Sequence, residues 1–221
     1  MYSNEEKINK LFLSWLFISL ILVFLIIIVG GLTRLTNSGL SITEWELFRG
    51  IFPPLNNESW ELYFQQYKQI PQYQLLNFNM TMDEFKVIFY WEYFHRILAR
   101  LIGLFFLIPF IYFYFSKKIK PIKMRICFII LSLIIIQGII GWYMVMSGLV
   151  NDISVSHYRL SIHLFTAFLI ISIIFWLIKN VISNENKIFF KYSVRNLPFQ
   201  IFIFLIFLQI IMGAFVSGLD A

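Results

Sequence analysis

The chain has 221 residues, 59% hydrophobic, 19% aromatic and only 14% charged, with a formal net charge of +6 and a mean hydropathy of +0.77. That balance excludes a soluble globular domain and defines a membrane protein. The basic excess does not imply nucleic acid, because Lys and Arg gather in short loops beside apolar runs, and a lone cysteine, Cys127, excludes an internal disulfide or a cysteine-built metal cluster.

Ten mixed-charge residues precede the first apolar run, near 11–32. This run is too long for a signal peptide and lacks a small-residue cleavage site, so it reads as a retained span, and Glu5 and Glu6 argue against a transit peptide. The segment 34–84 follows, with Trp45, Pro53-Pro54, Trp60, Phe64, Tyr67 and Pro71. Its stretch 58–69 has the pattern of a short amphipathic helix, which predicts a cap lying on the membrane surface. Further apolar runs near 88–115, 124–146, 160–178 and 198–216 each reach the roughly 20 residues a hydrocarbon core requires, which predicts five membrane helices.

Charge sets their orientation. The loop 116–125 holds Lys117, Lys118, Lys120, Lys123 and Arg125, and the loop after the fourth span holds Lys179, Lys187, Lys191 and Arg195. Both are predicted to be cytoplasmic, as is the N-terminus with Lys7 and Lys10. The segment 34–84 and the turn 147–158 then fall outside.

An internal echo accompanies this pattern. Ser38-Gly39-Leu40, Ser147-Gly148-Leu149 and Ser217-Gly218-Leu219 are each expected just beyond the outer end of an odd-numbered span, and Gln137 precedes Gly141 by four as Gln209 precedes Gly213. A tripeptide alone is a weak signal, since glycines also serve tight turns and close helix packing. The even-numbered spans, however, each carry a histidine soon after their outer start, His95 and His163. The repeat unit is a Gly-rich odd helix, an outer connection and a His-bearing even helix. The chain stops at Ala221, where a third His-bearing helix is expected. Residues 1–197 therefore read as a four-helix half, and 198–221 as the first helix of a second half of a longer protein.

The second span brings charge into the membrane: Glu92, His95, Arg96 and Arg100 fall within its first turns. Such residues face a protein interior, because a charge at the centre of a bilayer costs about 2.5 to 3.5 kcal/mol on insertion scales. Glu92 is spaced to meet His95 and Arg96 on one face, Arg96 and Arg100 form another four-residue pair, and Ala99 and Gly103 leave room beside them. Arg159 lies one turn before His163. Two imidazoles from neighbouring helices at similar depth can supply both axial ligands to a heme iron, with Arg96, Arg100 and Arg159 pairing with its propionates. For a single such residue, hydrogen bonding between helices or snorkelling is the better reading; two histidines with arginine companions reverse that. His157, in the outer turn beside Ser156 and Tyr158, reads as a solvated surface imidazole. Spacing leaves the use of the heme open. An electron relay needs it as a permanent cofactor, an enzyme acting on the porphyrin needs a group such as Glu92 beside it, and a transporter would use Glu92 and His95 as a proton relay.

The run Gly30-Gly31-Leu32-Thr33-Arg34-Leu35-Thr36-Asn37-Ser38-Gly39-Leu40-Ser41, followed by Trp45, Gly50, Pro53-Pro54 and Trp60, resembles the opening of the heme A synthase family. So do Glu84-Phe85-Lys86, Trp91-Glu92-Tyr93-Phe94-His95-Arg96, Arg100-Leu101-Ile102-Gly103, Gly141-Trp142, Met144-Val145, Tyr158-Arg159-Leu160 with His163-Leu164, and Gly213-Ala214-Phe215-Val216 with Gly218-Leu219-Asp220-Ala221. Lacking a cysteine pair in the outer loop, the chain is similar to the mitochondrial and proteobacterial branch. Ala99 stands where that pattern has Gly, and Met146 where it has Lys.

The resemblance implies an all-α integral membrane protein of eight helices in two four-helix halves, in the bacterial inner membrane. Its implied activity is oxidation of a methyl group of heme O to the formyl of heme A, for terminal oxidases. It further implies that the front half receives heme O, with His95 and His163 as axial ligands and Glu92 as an important carboxylate. The rear half would hold a heme b cofactor on two further histidines. A heme O synthase and an electron acceptor are the implied partners.

Overall fold

The computed structural model describes residues 4–44, 49–151, 153–184 and 194–219, and among them there is no strand. Trp45, Lys187, Lys191, Asp220 and Ala221, named above, lie outside the described residues. Helix α1 spans Asn4–Leu35, α4 Met82–Ser116, α5 Pro121–Asn151, α6 His157–Ile182 and α7 Leu197–Gly218. These five are long and apolar enough to cross a membrane. The short helices α2, Asn57–Tyr67, and α3, Pro71–Leu75, belong to the cap between α1 and α4.

The helices outrun their hydropathy runs. Apolar length marks the hydrocarbon thickness, but a helix continues until its end groups are capped. Thus α4 begins at a capping box, with Thr81 N donating to Glu84 Oε2 at 2.8 Å and Glu84 N to Thr81 Oγ1 at 3.4 Å. Ser147-Gly148-Leu149 lies inside α5 and Ser217-Gly218 inside the last turn of α7, and only Ser38-Gly39-Leu40 stands beyond a helix end.

Helix α1 packs against α4 and α6, and α5 packs against the same two. The four therefore form a square in which α4 and α6 occupy one diagonal. Its solid core fills the half away from the cap, where Phe12 and Phe113 meet edge-on at 5.1 Å and Trp15 lies 4.7 Å from Phe106. Helix α7 lies outside the square along α6, with Phe165 and Phe207 rings 5.2 Å apart. Most of its apolar surface is exposed.

The cap is fixed to the first turns of α4 by a second cluster, in which Trp60 meets Phe89 at 5.0 Å and Phe64 stacks on Phe85 at 5.0 Å. Asn37 takes the left-handed conformation, φ 51°, and turns the chain out of α1. The predicted amphipathic helix is present as α2, its N-cap Asn56 accepting from Ser59 N at 2.8 Å. Beyond it, α3 seats the buried Gln72, which donates to Asn37 O at 3.0 Å and accepts from the Tyr67 hydroxyl at 3.0 Å.

Candidate functional site

In the capped half the bundle is hollow. A cavity of about 960 Å³ lies between the four helices, with α7 along one side, at the upper end of the range of about 300 to 1,000 Å³ typical of ligand pockets. Val23, Ile102 and Ile170, where the solid core begins, form its apolar floor, while Arg34, Gln72, Arg96 and Arg100 line its polar end towards the cap.

His95 and His163 both line this cavity. The sequence suggested neighbouring helices, but they project from α4 and α6 on the diagonal of the square and so approach the hollow from opposite sides. A third helix touches each ring. A Cβ built on Gly30 of α1 would lie 3.0 Å from His95 Cε1, and one on Gly141 of α5 would lie 3.2 Å from His163 Cε1. Nδ1 of each ring is buried with no hydrogen-bond partner among the described residues, an orphaned polar atom of the kind that marks a site.

Glu92 is buried and already engaged. Its Oε2 accepts from Ser41 Oγ at 2.7 Å and Ile42 N at 2.9 Å, and its Oε1 from Arg96 Nη2 at 2.5 Å. Arg96 Nη2 also donates to Ile42 O at 3.0 Å, and Arg100 Nη1 to Gly50 O at 3.0 Å. Two turns of α4, from Glu92 to Arg100, thereby hold both described ends of the segment that runs from Ser41 to Ile51. The expected Glu92–Arg96 pair forms; Glu92 and His95 are not hydrogen-bonded. Ala99 lines the cavity, whereas Gly103 does not.

Arg159 is placed otherwise than expected. It is absent from the cavity lining, donates to Ser147 Oγ and stands 4.8 Å over the Tyr143 ring. In its stead the cavity has Arg34, to which the sequence reading gave no role although it closes the Gly30-to-Arg34 motif. Its Nη1 donates to Asn37 Oδ1 at 3.0 Å and its Nη2 to Ser217 O at 2.5 Å, joining the ends of α1 and α7. Gln137 lines the wall and donates to His163 O at 2.8 Å, while its counterpart Gln209 is exposed on α7. His157 is not a free surface imidazole. It is half-buried against α7, 5.2 Å from the Phe215 ring, and a Cβ on Gly218 would lie 2.5 Å from its own Cβ.

Fold and site together define a polytopic helical membrane protein whose bundle encloses two histidines and an arginine-lined end in one large cavity. Residues 13–221 match the family model described as Cytochrome oxidase assembly protein, and the chain belongs to that family. It is similar to curated proteins named heme A synthase. The one from Pelagibacter ubique is 49% identical over 222 residues, covering 100% of this chain and 65% of that protein. Those from Flavobacterium psychrophilum and Nitrosomonas eutropha are 45% and 47% identical, covering 97% and 94% of this chain and 63% and 59% of theirs. The chain thus spans a little under two thirds of the length of these relatives. No solved structure matches it.

Proposed function

We propose that this chain is the substrate-binding part of a heme A synthase, in which heme O is oxidised at one porphyrin methyl group to the formyl of heme A. The observation that carries this reading is the pair of imidazoles facing one hollow from opposite sides. In it, His95 and His163 ligate the iron of heme O. A plane held between α4 and α6 presents its edges to α1 and α5, where Gly31 and Gly138 have open space beside them. The propionates lie at the polar end, served by Arg34, Arg96 and Arg100. Glu92 acts at the same edge by holding Arg96 and the 41–42 backbone in place, and the walls exclude water from the porphyrin face.

Residues 1–197 form the four-helix half and 198–221 the first helix of a second half. The N-terminus is cytoplasmic and the cap faces outward from a bacterial inner membrane. Heme b, which supplies electron transfer when bound, belongs to the length of the relatives that this chain does not span. A heme O synthase delivers substrate, and an acceptor removes the electrons.

The test is pigment analysis of the protein purified from cells that make heme O. Bound heme O in the parent, lost with His95→Ala or His163→Ala, supports the reading. Stable protoheme with no preference for heme O would instead identify a cytochrome b type electron carrier.

A further inference from the structure

The proposed heme ligands lack the support such ligands usually have. A metal-bound histidine normally donates its second ring N–H to a carboxylate, carbonyl or water, and that bond fixes the rotation of the ring. Here Nδ1 of both His95 and His163 is buried and without an acceptor among the described residues. What each ring does meet is a glycine on the preceding membrane helix. Gly30 faces the Cε1 edge of His95, where a Cβ would come within 3.0 Å of Cε1 and 3.4 Å of Nδ1. Gly141 faces His163 in the same way, at 3.2 Å from Cε1 and 3.9 Å from each nitrogen. Carbon atoms rest at about 3.5 to 4.0 Å. A methyl group at either position would therefore turn its ring or push it away from the neighbouring helix. The arrangement occurs twice, on α1 against α4 and on α5 against α6, so the two halves of the bundle use the same device.

We propose that Gly30 and Gly141 are positioning residues that set the rotation of the His95 and His163 rings by close packing, in place of a hydrogen bond at Nδ1. This rests on the two histidines being the iron ligands. Each ring is then confined by shape alone, and the angle between the two ring planes is a property of α1 and α5 rather than of the helices that carry the histidines.

The experiment uses the full chain in detergent, loaded with hemin, and reads optical spectra, hemin affinity and the largest g value of the low-spin ferric signal, which responds to the angle between axial rings. Gly30→Ala and Gly141→Ala are each expected to keep a low-spin signal with a shifted g value and to weaken hemin roughly tenfold, the low end of the effect of losing an outer-shell partner. Two controls separate ring rotation from general crowding. Gly103→Ala meets nothing within 4 Å, and Gly148→Ala meets Leu40 Cδ2 at 3.0 Å but no histidine; both are expected to leave the signal unmoved. Should one glycine variant fail to fold, the other carries the same test on a different helix. An unshifted signal in both glycine variants, or an equal shift in Gly148→Ala, overturns the inference. If His95→Ala and His163→Ala themselves keep the parent spectrum, the assignment of the ligands is what has failed.

Discussion

Glu92 and Arg96 meet at 2.5 Å one turn apart on α4, with side chains only 3% and 13% exposed. Both residues line the cavity beneath the cap, and further bonds of the pair run to Ser41 and Ile42. Removing one partner of a buried pair leaves an uncompensated charge and costs about 3 to 5 kcal/mol. Glu92→Ala is expected to lose about that much stability in thermal unfolding in detergent. Glu92→Gln, which keeps an acceptor for Ile42 N, is expected to lose less. Equal stability of Glu92→Ala and the parent would show that the clamp contributes nothing.

The arginines separate by position. A charge-assisted hydrogen bond contributes about 1.5 to 3 kcal/mol, so Arg34→Ala is expected to weaken hemin by roughly tenfold or more, and Arg159→Ala, which faces Ser147 and Tyr143, by little. Titration with hemin and with its dimethyl ester checks this, because the ester carries no propionate charge and the difference between the two variants should vanish with it.

The cap has a pH dependence of definite sign. Burial pushes the Tyr67 phenol above the ordinary tyrosine value, the Asn77 hydrogen bond pulling the other way. A raised folded-state pKa leaves stability intact below the unfolded value of about 10 and removes it as pH rises through the folded one. Hydrogen exchange in α2 is expected to accelerate above that pH in the parent and to lose this alkaline component in Tyr67→Phe.

The solid end of the bundle should be separable from the hollow end. Phe113 is 1% exposed among Phe12, Trp15 and Phe106, and Phe→Ala in a packed core costs about 3 to 5 kcal/mol. Phe113→Ala is expected to lower the unfolding temperature while leaving the hemin spectrum of the folded protein unchanged. A changed spectrum would mean that the two ends are not independent.

The sequence by itself determined the five spans and the amphipathic helix of the cap, while the start of α4 at Thr81 came from the structure. Both the spans and the cap helix are written locally: lipid transfer adds up residue by residue along a run, and an amphipathic face repeats every three to four residues within one short helix. It also brought His95, His163 and Glu92 forward, because ionisable groups stand out in an apolar background. Tertiary structure decided which of them share a space. That α4 and α6 lie on a diagonal, that Arg34 rather than Arg159 reaches the cavity, that His157 is held by α7 and that glycines 30 and 141 touch the histidine rings are all consequences of how helices distant along the chain pack. A small residue such as glycine marks a close helix contact without naming the partner helix, and that pairing depends on residues far apart along the chain.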